Sequence, residues 1–274
     1  KGSAEGDLKK YLGIPYAEPP VGDLRWSPPQ PLNAWSGIKD ASVNSNICYQ
    51  PNQPSEFYDR GPDQSTMSED CLTLNIWTRA STTKENLPVM VWIHGGALVW
   101  GSGSEYKGEE LTKRDVILVT VNYRLGPLGF FAHQELNDEN NGHSGNQGFR
   151  DQIAALEWVQ SNISKFGGNP ENVTIFGESA GSWSVNVLQA SPLSQGLFHK
   201  VIGQSGARLL PLTHLTTATD YSESALEVGL NLTKIISNKK TTSLGDLRNL
   251  SAEEIIKKVE MDPVYSTTFD TLTI

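Results

Sequence analysis

The chain has 274 residues, a net charge of −9 and an isoelectric point near 5.1. An acidic chain without a basic cluster is unsuited to nucleic acid or to an anionic membrane surface, so we expect neither as a partner. No apolar run approaches the ~18 residues that cross a bilayer, so we expect no membrane span. The apolar content of 37% is sufficient for a large core, and the length allows one large domain or two.

Residues 1–10 are mostly polar, and the segment that follows them is rich in proline. Three prolines lie between Tyr11 and Trp26, and further prolines follow as far as residue 62. Because proline has no N–H to donate, we expect an ordered loop over 11–26 rather than a helix interior or a central strand. Loops as long as 27–70 are usually functional or covalently clamped in a compact domain.

Two cysteines, Cys48 and Cys71, lie in or beside this loop. Neither belongs to a C-x-x-C pair, so the sequence does not favour a metal site. A disulfide between them would clamp the loop, and two free buried thiols are the alternative.

Short apolar runs predict strands buried in a sheet, and they cover Leu72–Trp77, Pro88–His94, Val116–Val121, Val173–Phe176 and Lys200–Gly206. Helical periodicity appears in 148–164, Ser182–Ala190, Tyr221–Leu232 and Ala252–Val259, the last preceded by the capping-box pair Ser251 and Glu254. Strands that alternate with helices predict an α/β fold with a mainly parallel central sheet and flanking helices.

The strand at Val173–Phe176 runs directly into Gly177-Glu178-Ser179-Ala180-Gly181, a G-x-S-x-G pattern. A sharp turn from strand to helix would hold Ser179 in a strained conformation and expose its hydroxyl at the helix N-terminus. The alternative is a turn whose serine only caps the next helix. Because a strand precedes the motif and a helix follows it, we predict that Ser179 is a catalytic nucleophile.

A second glycine motif, His94-Gly95-Gly96-Ala97, follows the strand at Pro88–His94. Glycines at a strand end allow the backbone to approach a ligand and present its N–H groups. We therefore predict an oxyanion hole formed by the N–H groups of Gly96, Ala97 and Ala180. A simple Gly-Gly turn is the alternative.

Several further motifs occur in a characteristic order, at Gly13–Pro20, Ser68–Trp77, Val121–Gly126, Asn146–Gly148 and Phe166–Pro170. Together with the two glycine motifs, they make the chain similar to the type-B carboxylesterase family of α/β-hydrolases. That family also contains the cholinesterases, fungal lipases and the non-catalytic neuroligins. The matching motifs lie between residue 11 and about residue 207.

The resemblance implies a serine carboxylic-ester hydrolase that forms an acyl-enzyme on Ser179 and needs no cofactor or metal. It implies that Cys48 and Cys71 form the family's first disulfide, as expected of a secreted, extracellular or periplasmic protein. It also implies the ion pairs Arg25–Glu69 and Arg124–Asp151, although each of these charges could instead be a solvated surface group. A lipase for long-chain esters and a non-catalytic adhesion module are the alternative functions, and the intact Ser179 argues against the adhesion module.

Two positions depart from the cholinesterase pattern. Gly61 stands where an aromatic choline-binding residue would lie, so we do not expect a choline ester as the substrate. Leu98 replaces the aromatic residue that commonly follows the glycine motif, which leaves the shape of the pocket mouth open. We further expect a structural role for Glu178 and a hydrogen bond near the triad for Ser205.

The family's triad follows the order Ser, then Asp or Glu, then His. After Ser179 the histidines are His199 and His214, and no acidic residue lies between Ala180 and His214. The triad therefore cannot be completed in this order within the chain. We expect residues 1–274 to be the N-terminal part of a single α/β-hydrolase domain, whose C-terminal half supplies the acid and the histidine.

Overall fold

The computed structural model describes residues 1–52, 66–207, 213–220, 223–238 and 242–261. Its centre is a seven-stranded sheet with the spatial order β1-β2-β3-β5-β4-β6-β7. The strands are β1 (Ser3–Glu5), β2 (Leu8–Pro15), β3 (Thr73–Thr78), β4 (Leu87–Ile93), β5 (Ile117–Val121), β6 (Gly168–Glu178) and β7 (Lys200–Gln204).

The sheet is mixed, with parallel pairing on the side that carries the glycine motifs. Strands β5, β4, β6 and β7 pair in parallel, whereas β1, β2, β3 and β5 pair antiparallel. The β-branched side chains of Val89, Val91, Val119, Val173 and Ile175 are all at most 1% exposed. Buried continuous runs of this kind are typical of parallel strands covered by helices on both faces.

The prediction of a loop over residues 11–26 is wrong at its beginning, because Tyr11–Pro15 belongs to β2. This strand is paired with β1 on one side and β3 on the other. Its first proline is its last residue, and the register shifts between Tyr11 and Ile14. At this shift Gly13 has a φ of +68°, and its N–H donates to Asn75 Oδ1 at 2.8 Å. The strand therefore ends at its proline, and its first residues, Leu8, Lys9 and Lys10, form no apolar run that would have predicted it.

The helices are α1 (Gly126–Gly129), α2 (Gln134–Glu139), α3 (Gln147–Asn162), α4 (Ala180–Ala190), α5 (Ala225–Ser237), α6 (Leu244–Arg248) and α7 (Ala252–Glu260). The predicted helices correspond to α3, α4, α5 and α7, and the predicted capping box at Ser251 and Glu254 is present. A second capping box, Ser224 with Glu227, begins α5 later than expected. Residues 221–222 of that prediction lie outside the described residues.

Three apolar clusters form the core of the described residues, and one of them consists of Leu8, Trp77, Trp92 and Leu118 in the sheet. Of the other two, the larger packs on the sheet, and the smaller joins α5, α6 and α7 to Trp26 and Leu128. Arg25 connects them, because its guanidinium forms two 2.6 Å bonds to Glu69 and donates to the carbonyl oxygens of Arg248 and Leu250. The loop beside it is clamped by a disulfide between Cys48 and Cys71.

The second implied ion pair is also present, and it is fully enclosed. Arg124 donates through Nε and Nη2 to the two carboxylate oxygens of Asp151, at 2.8 and 2.7 Å. The side chains are 4% and 0% exposed, so these charges are not solvated surface groups. The pair fixes the segment after β5 to α3. Across the described ranges, no helix is long and apolar enough to cross a membrane.

Candidate active site

The two glycine motifs meet at one edge of the sheet, at the carboxyl ends of parallel strands. In the register of the sheet Ile93 lies opposite Gly177, and Glu178 lies opposite Gln204. His94 and Ser179 directly follow β4 and β6, so the strand pairing alone brings the two motifs side by side. Ligands of open α/β sheets bind at this edge.

Ser179 has the strained conformation that its motif predicts. Its φ of 55° and ψ of −120° lie in a region that residues with a Cβ rarely adopt. Two main-chain bonds hold it there: its N–H donates to the Gln204 carbonyl at 2.9 Å, and its carbonyl accepts from the Trp183 N–H at 3.1 Å. Helix α4 begins at the next residue, Ala180, so the hydroxyl group lies at a helix N-terminus.

The glycines on either side of Ser179 are required by close packing. A methyl group at Gly181 would lie 2.1 Å from the Ile93 carbonyl oxygen, and one at Gly177 would lie 2.5 Å from the Gly181 carbonyl carbon. Strand β4, the end of β6 and the start of α4 therefore pack backbone to backbone. Any side chain at these positions would push the nucleophile away from the sheet.

The loop after β4 lies against the nucleophile. A methyl group at Gly95 would come within 3.2 Å of Ser179 Cβ and of Glu178 Oε2. The next three residues, Gly96, Ala97 and Leu98, all have positive φ, at 94°, 55° and 62°. The Gly96 carbonyl accepts from the N–H groups of Val99 at 2.9 Å and Trp100 at 2.8 Å, which closes the loop into a tight turn.

His94 is a buried member of this loop to which the sequence analysis gave no role. Its ring is stacked on Tyr123, with centroids 4.4 Å apart, and its Nδ1 lies 2.8 Å from the Gly95 carbonyl oxygen. Burial lowers the pKa of His94 to about 4, so the imidazole is neutral near pH 7. Its position between a strand and two glycines was the available signal in the sequence.

Two side-chain hydrogen bonds that no sequence motif predicted connect α3 to the first turn of α4. The buried Gln152 of α3 donates through Nε2 to Ser184 Oγ at 3.1 Å, and Ser184 in turn donates to the Ala180 carbonyl at 3.0 Å. The chain of bonds ties the first turn of α4 to α3. Position 152 carried no motif beyond the helical pattern, so periodicity could not identify it.

His199 lies far from the nucleophile. Its ring Nδ1 accepts from the Val173 main-chain N–H at 3.2 Å, and the main-chain N–H of His199 donates to the Val173 carbonyl at 2.8 Å. Val173 precedes Ser179 by six residues along β6, a separation of about 20 Å at ~3.3 Å per residue. The His214 ring accepts from the N–H groups of Thr216 and Thr217, so it closes a turn. Neither arrangement is that of a general base for Ser179.

The remaining predicted positions have mixed outcomes. Leu98 is 1% exposed within the sheet core, so it does not line the pocket mouth. Glu178 and Ser205 are exposed, and Ser205 lies in a turn whose next residue, Gly206, accepts a hydrogen bond from Ser182 Oγ. Gly61 lies outside the described residues.

Within the described ranges, no group of three or more His, Cys, Asp or Glu side chains could hold a metal ion.

A family model described as the carboxylesterase family matches residues 1–273. Cocaine esterase of Homo sapiens is 46% identical over 261 residues, which cover 92% of this chain and 45% of that relative. Para-nitrobenzyl esterase of Bacillus subtilis (strain 168) is 43% identical over 264 residues, which cover 95% of this chain and 50% of the relative.

Solved structures show the same likeness in three dimensions. A carboxylesterase of Geobacillus stearothermophilus superposes with a TM-score of 0.79 at 38% identity, covering 96% of this chain and 51% of that one. The chain thus spans about half the length of the relatives it matches. The predicted α/β-hydrolase fold is confirmed.

Proposed function

Because the chain belongs to the carboxylesterase family, we propose that it carries the nucleophile and the oxyanion hole of a serine carboxylic-ester hydrolase. The observation that carries this proposal is the conformation of Ser179, strained at φ 55° and ψ −120°, with the Gly95–Ala97 loop packed beside it. A residue held in such a conformation by surrounding bonds is typical of catalytic sites.

In the proposed reaction the Ser179 hydroxyl oxygen attacks the ester carbonyl and forms a tetrahedral intermediate. The negative charge that develops on the carbonyl oxygen is stabilised by the N–H groups of Gly96, Ala97 and Ala180. Collapse of the intermediate expels the alcohol and leaves an acyl group on Ser179. Water then repeats the sequence on the acyl-enzyme and releases the carboxylic acid.

The general base is proposed to come from outside this chain. A histidine must take the Ser179 proton and return it to the leaving alcohol, while an acid orients that histidine. We propose that residues 1–274 are the N-terminal part of a single hydrolase domain and that its C-terminal half contributes both groups. Four of the five β7 residues are exposed, and such an edge can accept a further strand.

The substrate is proposed to be a small carboxylic ester. The relatives are named after cocaine and para-nitrobenzyl esters, two chemically different substrates, so the names favour a broad ester-hydrolase class. They favour neither a lipase nor an adhesion module. The disulfide between Cys48 and Cys71 supports folding in an oxidising compartment, and we propose a secreted or periplasmic location.

Covalent labelling of the full-length protein that contains this chain tests the proposal. An organophosphate should inactivate ester hydrolysis and leave one phosphoryl adduct on Ser179, identified by mass spectrometry of the tryptic peptide. Ser179→Ala should abolish both the adduct and turnover of p-nitrophenyl acetate. An active enzyme labelled at a different residue would overturn the assignment.

A further inference from the structure

The peptide between Gly95 and Gly96 contains one of the proposed oxyanion donors. A trans peptide is planar, and its C=O and N–H point in opposite directions. The Gly95–Gly96 bond is trans, so whatever holds the Gly95 carbonyl also sets the direction of the Gly96 N–H. In the structure that carbonyl lies 2.8 Å from His94 Nδ1. A carbonyl oxygen can only accept, so Nδ1 must carry the proton.

The other two donors are oriented by the main chain instead. The Ala97 N–H shares its peptide with the Gly96 carbonyl, which the N–H groups of Val99 and Trp100 hold. The Ala180 N–H shares its peptide with the Ser179 carbonyl, which accepts from the Trp183 N–H. The partner that the structure shows for the third carbonyl, that of Gly95, is a side chain.

This peptide needs such a partner more than the others do. It joins two glycines, and glycine residues rotate with little steric resistance, so the peptide plane can turn over at small cost. A turned plane would direct a carbonyl oxygen, rather than an N–H, at the developing negative charge. A bond on the far side of the plane prevents this rotation.

The His94 ring is itself held in one orientation. It stacks on Tyr123 at 4.4 Å, and the Tyr123 hydroxyl donates to the His94 carbonyl at 2.8 Å. Gly101 packs directly against the ring, since a methyl group there would lie 2.4 Å from Nδ1. The ring is 1% exposed, and among the described residues its Nε2 has no hydrogen-bond partner. The hydrogen bond from Nδ1 to the Gly95 carbonyl is thus the polar contact that this fixed ring orientation allows.

We propose that His94 is a positioning residue of the oxyanion hole, whose Nδ1–H holds the Gly95 carbonyl and thereby directs the Gly96 N–H at the reacting oxygen. The inference rests on the proposed function, because it needs an oxyanion at Ser179. Burial lowers the pKa of His94 to about 4, so the imidazole is neutral above that pH, and the contact of Nδ1 with the Gly95 carbonyl selects the Nδ1–H tautomer.

Three variants of the full-length enzyme separate this role from simple packing. His94→Phe keeps an aromatic ring and loses the donor. His94→Asn places an amide N–H near the position of Nδ1, and His94→Gln places it near Nε2 instead. His133→Phe, at a partly buried histidine that caps α2, is the matched control for the loss of an imidazole.

The expected signature is a loss confined to transition-state binding. For His94→Phe, kcat should fall about 10- to 100-fold with KM within about twofold, less than the 10²–10³-fold cost of deleting an oxyanion donor. Affinity for a trifluoromethyl ketone, which binds Ser179 as a tetrahedral adduct, should fall by the same factor. His94→Asn should be at least about fivefold more active than His94→Gln, and His133→Phe should match the wild type.

Several outcomes overturn the proposal. Unchanged kcat in His94→Phe would do so, as would a loss that appears in KM and leaves ketone affinity intact. If His94→Phe does not fold, equal activity of the Asn and Gln variants has the same consequence. Wild-type turnover and organophosphate labelling of Ser179 test the proposed function separately, so its failure is distinguishable from failure of the His94 assignment.

Discussion

The main-chain N–H of Ser179 donates to the carbonyl oxygen of Gln204 at 2.9 Å, so the strained residue is bonded to the end of the neighbouring strand β7. Gln204 also lies opposite Glu178 in the parallel register of β6 and β7. The sheet thus continues for one hydrogen bond beyond β6 and holds the turn in place. Backbone strain of about 1–3 kcal/mol at Ser179 is offset by contacts of this kind.

The strain can be measured by comparing Ser179→Gly with Ser179→Ala. In most positions alanine is the more stabilising residue, by roughly 0.5–1 kcal/mol. At Ser179 the order should reverse, because glycine adopts φ 55° and ψ −120° without a Cβ clash. We expect the glycine variant to be more stable by about 1 kcal/mol in urea unfolding. An alanine variant of equal or greater stability would contradict the strain.

Close packing at the elbow predicts a large effect of a single methyl group. Gly181→Ala places a Cβ 2.1 Å from the Ile93 carbonyl oxygen, so strand and helix must separate. We expect destabilisation of about 1–3 kcal/mol or more and loss of organophosphate labelling. Gly245→Ala in α6 is the control, since outside the backbone of its own helix and its chain neighbours its methyl meets no atom closer than 3.9 Å, and it should stabilise by about 0.5–1 kcal/mol. Similar unfolding midpoints for both variants would refute the packing argument.

The buried ion pair between Arg124 and Asp151 predicts that the free energy of unfolding depends strongly on Asp151. Asp151→Ala leaves the Arg124 guanidinium buried without its carboxylate partner, and such losses cost about 3–5 kcal/mol. Glu110→Ala removes an exposed pair with Lys113 and should change the free energy of unfolding by less than about 1 kcal/mol. The comparison is made by chemical unfolding of both variants. A small effect at Asp151 would mean that water reaches the guanidinium.

The disulfide predicts the chemical state of both cysteines. Alkylation of the unreduced, denatured protein should modify neither Cys48 nor Cys71, and reduction should make both reactive. Replacing both by alanine should lower stability by about 2–4 kcal/mol through the gain in unfolded-chain entropy. Two thiols that react without reduction would contradict both the bond and the proposed oxidising compartment.

Burial of His94 predicts a pH dependence of stability. Its pKa is about 4 in the folded chain against a normal value of 6.5, so between these values the unfolded chain binds more protons. The free energy of unfolding should therefore fall as the pH is lowered from about 6.5 to about 4. At ~1.4 kcal/mol per pKa unit, the loss reaches about 3 kcal/mol. This loss should be absent from the pH dependence of the His94→Phe variant, and its persistence in that variant would assign it to other groups.

The sequence by itself determined the parts of this protein that depend on short stretches of chain. The turn from β6 into α4 follows from an apolar run, two glycines and a serine within nine residues. The start of α7 follows from Ser251 and Glu254, three positions apart. Periodicity, capping and steric freedom act over a few residues, so such features can be deduced from neighbouring positions alone.

The tertiary structure decided what depends on distant partners. Strand β2 has two lysines directly after its first residue and ends in proline, and it is a strand because β1 and β3 supply its hydrogen bonds. Arg25 reaches the carbonyl of Leu250, 225 positions away. The proposed role of His94 depends on Tyr123, which is distant in sequence and stacks on the ring. Burial and hydrogen-bond direction are set by which surfaces meet, and only packing brings those surfaces together.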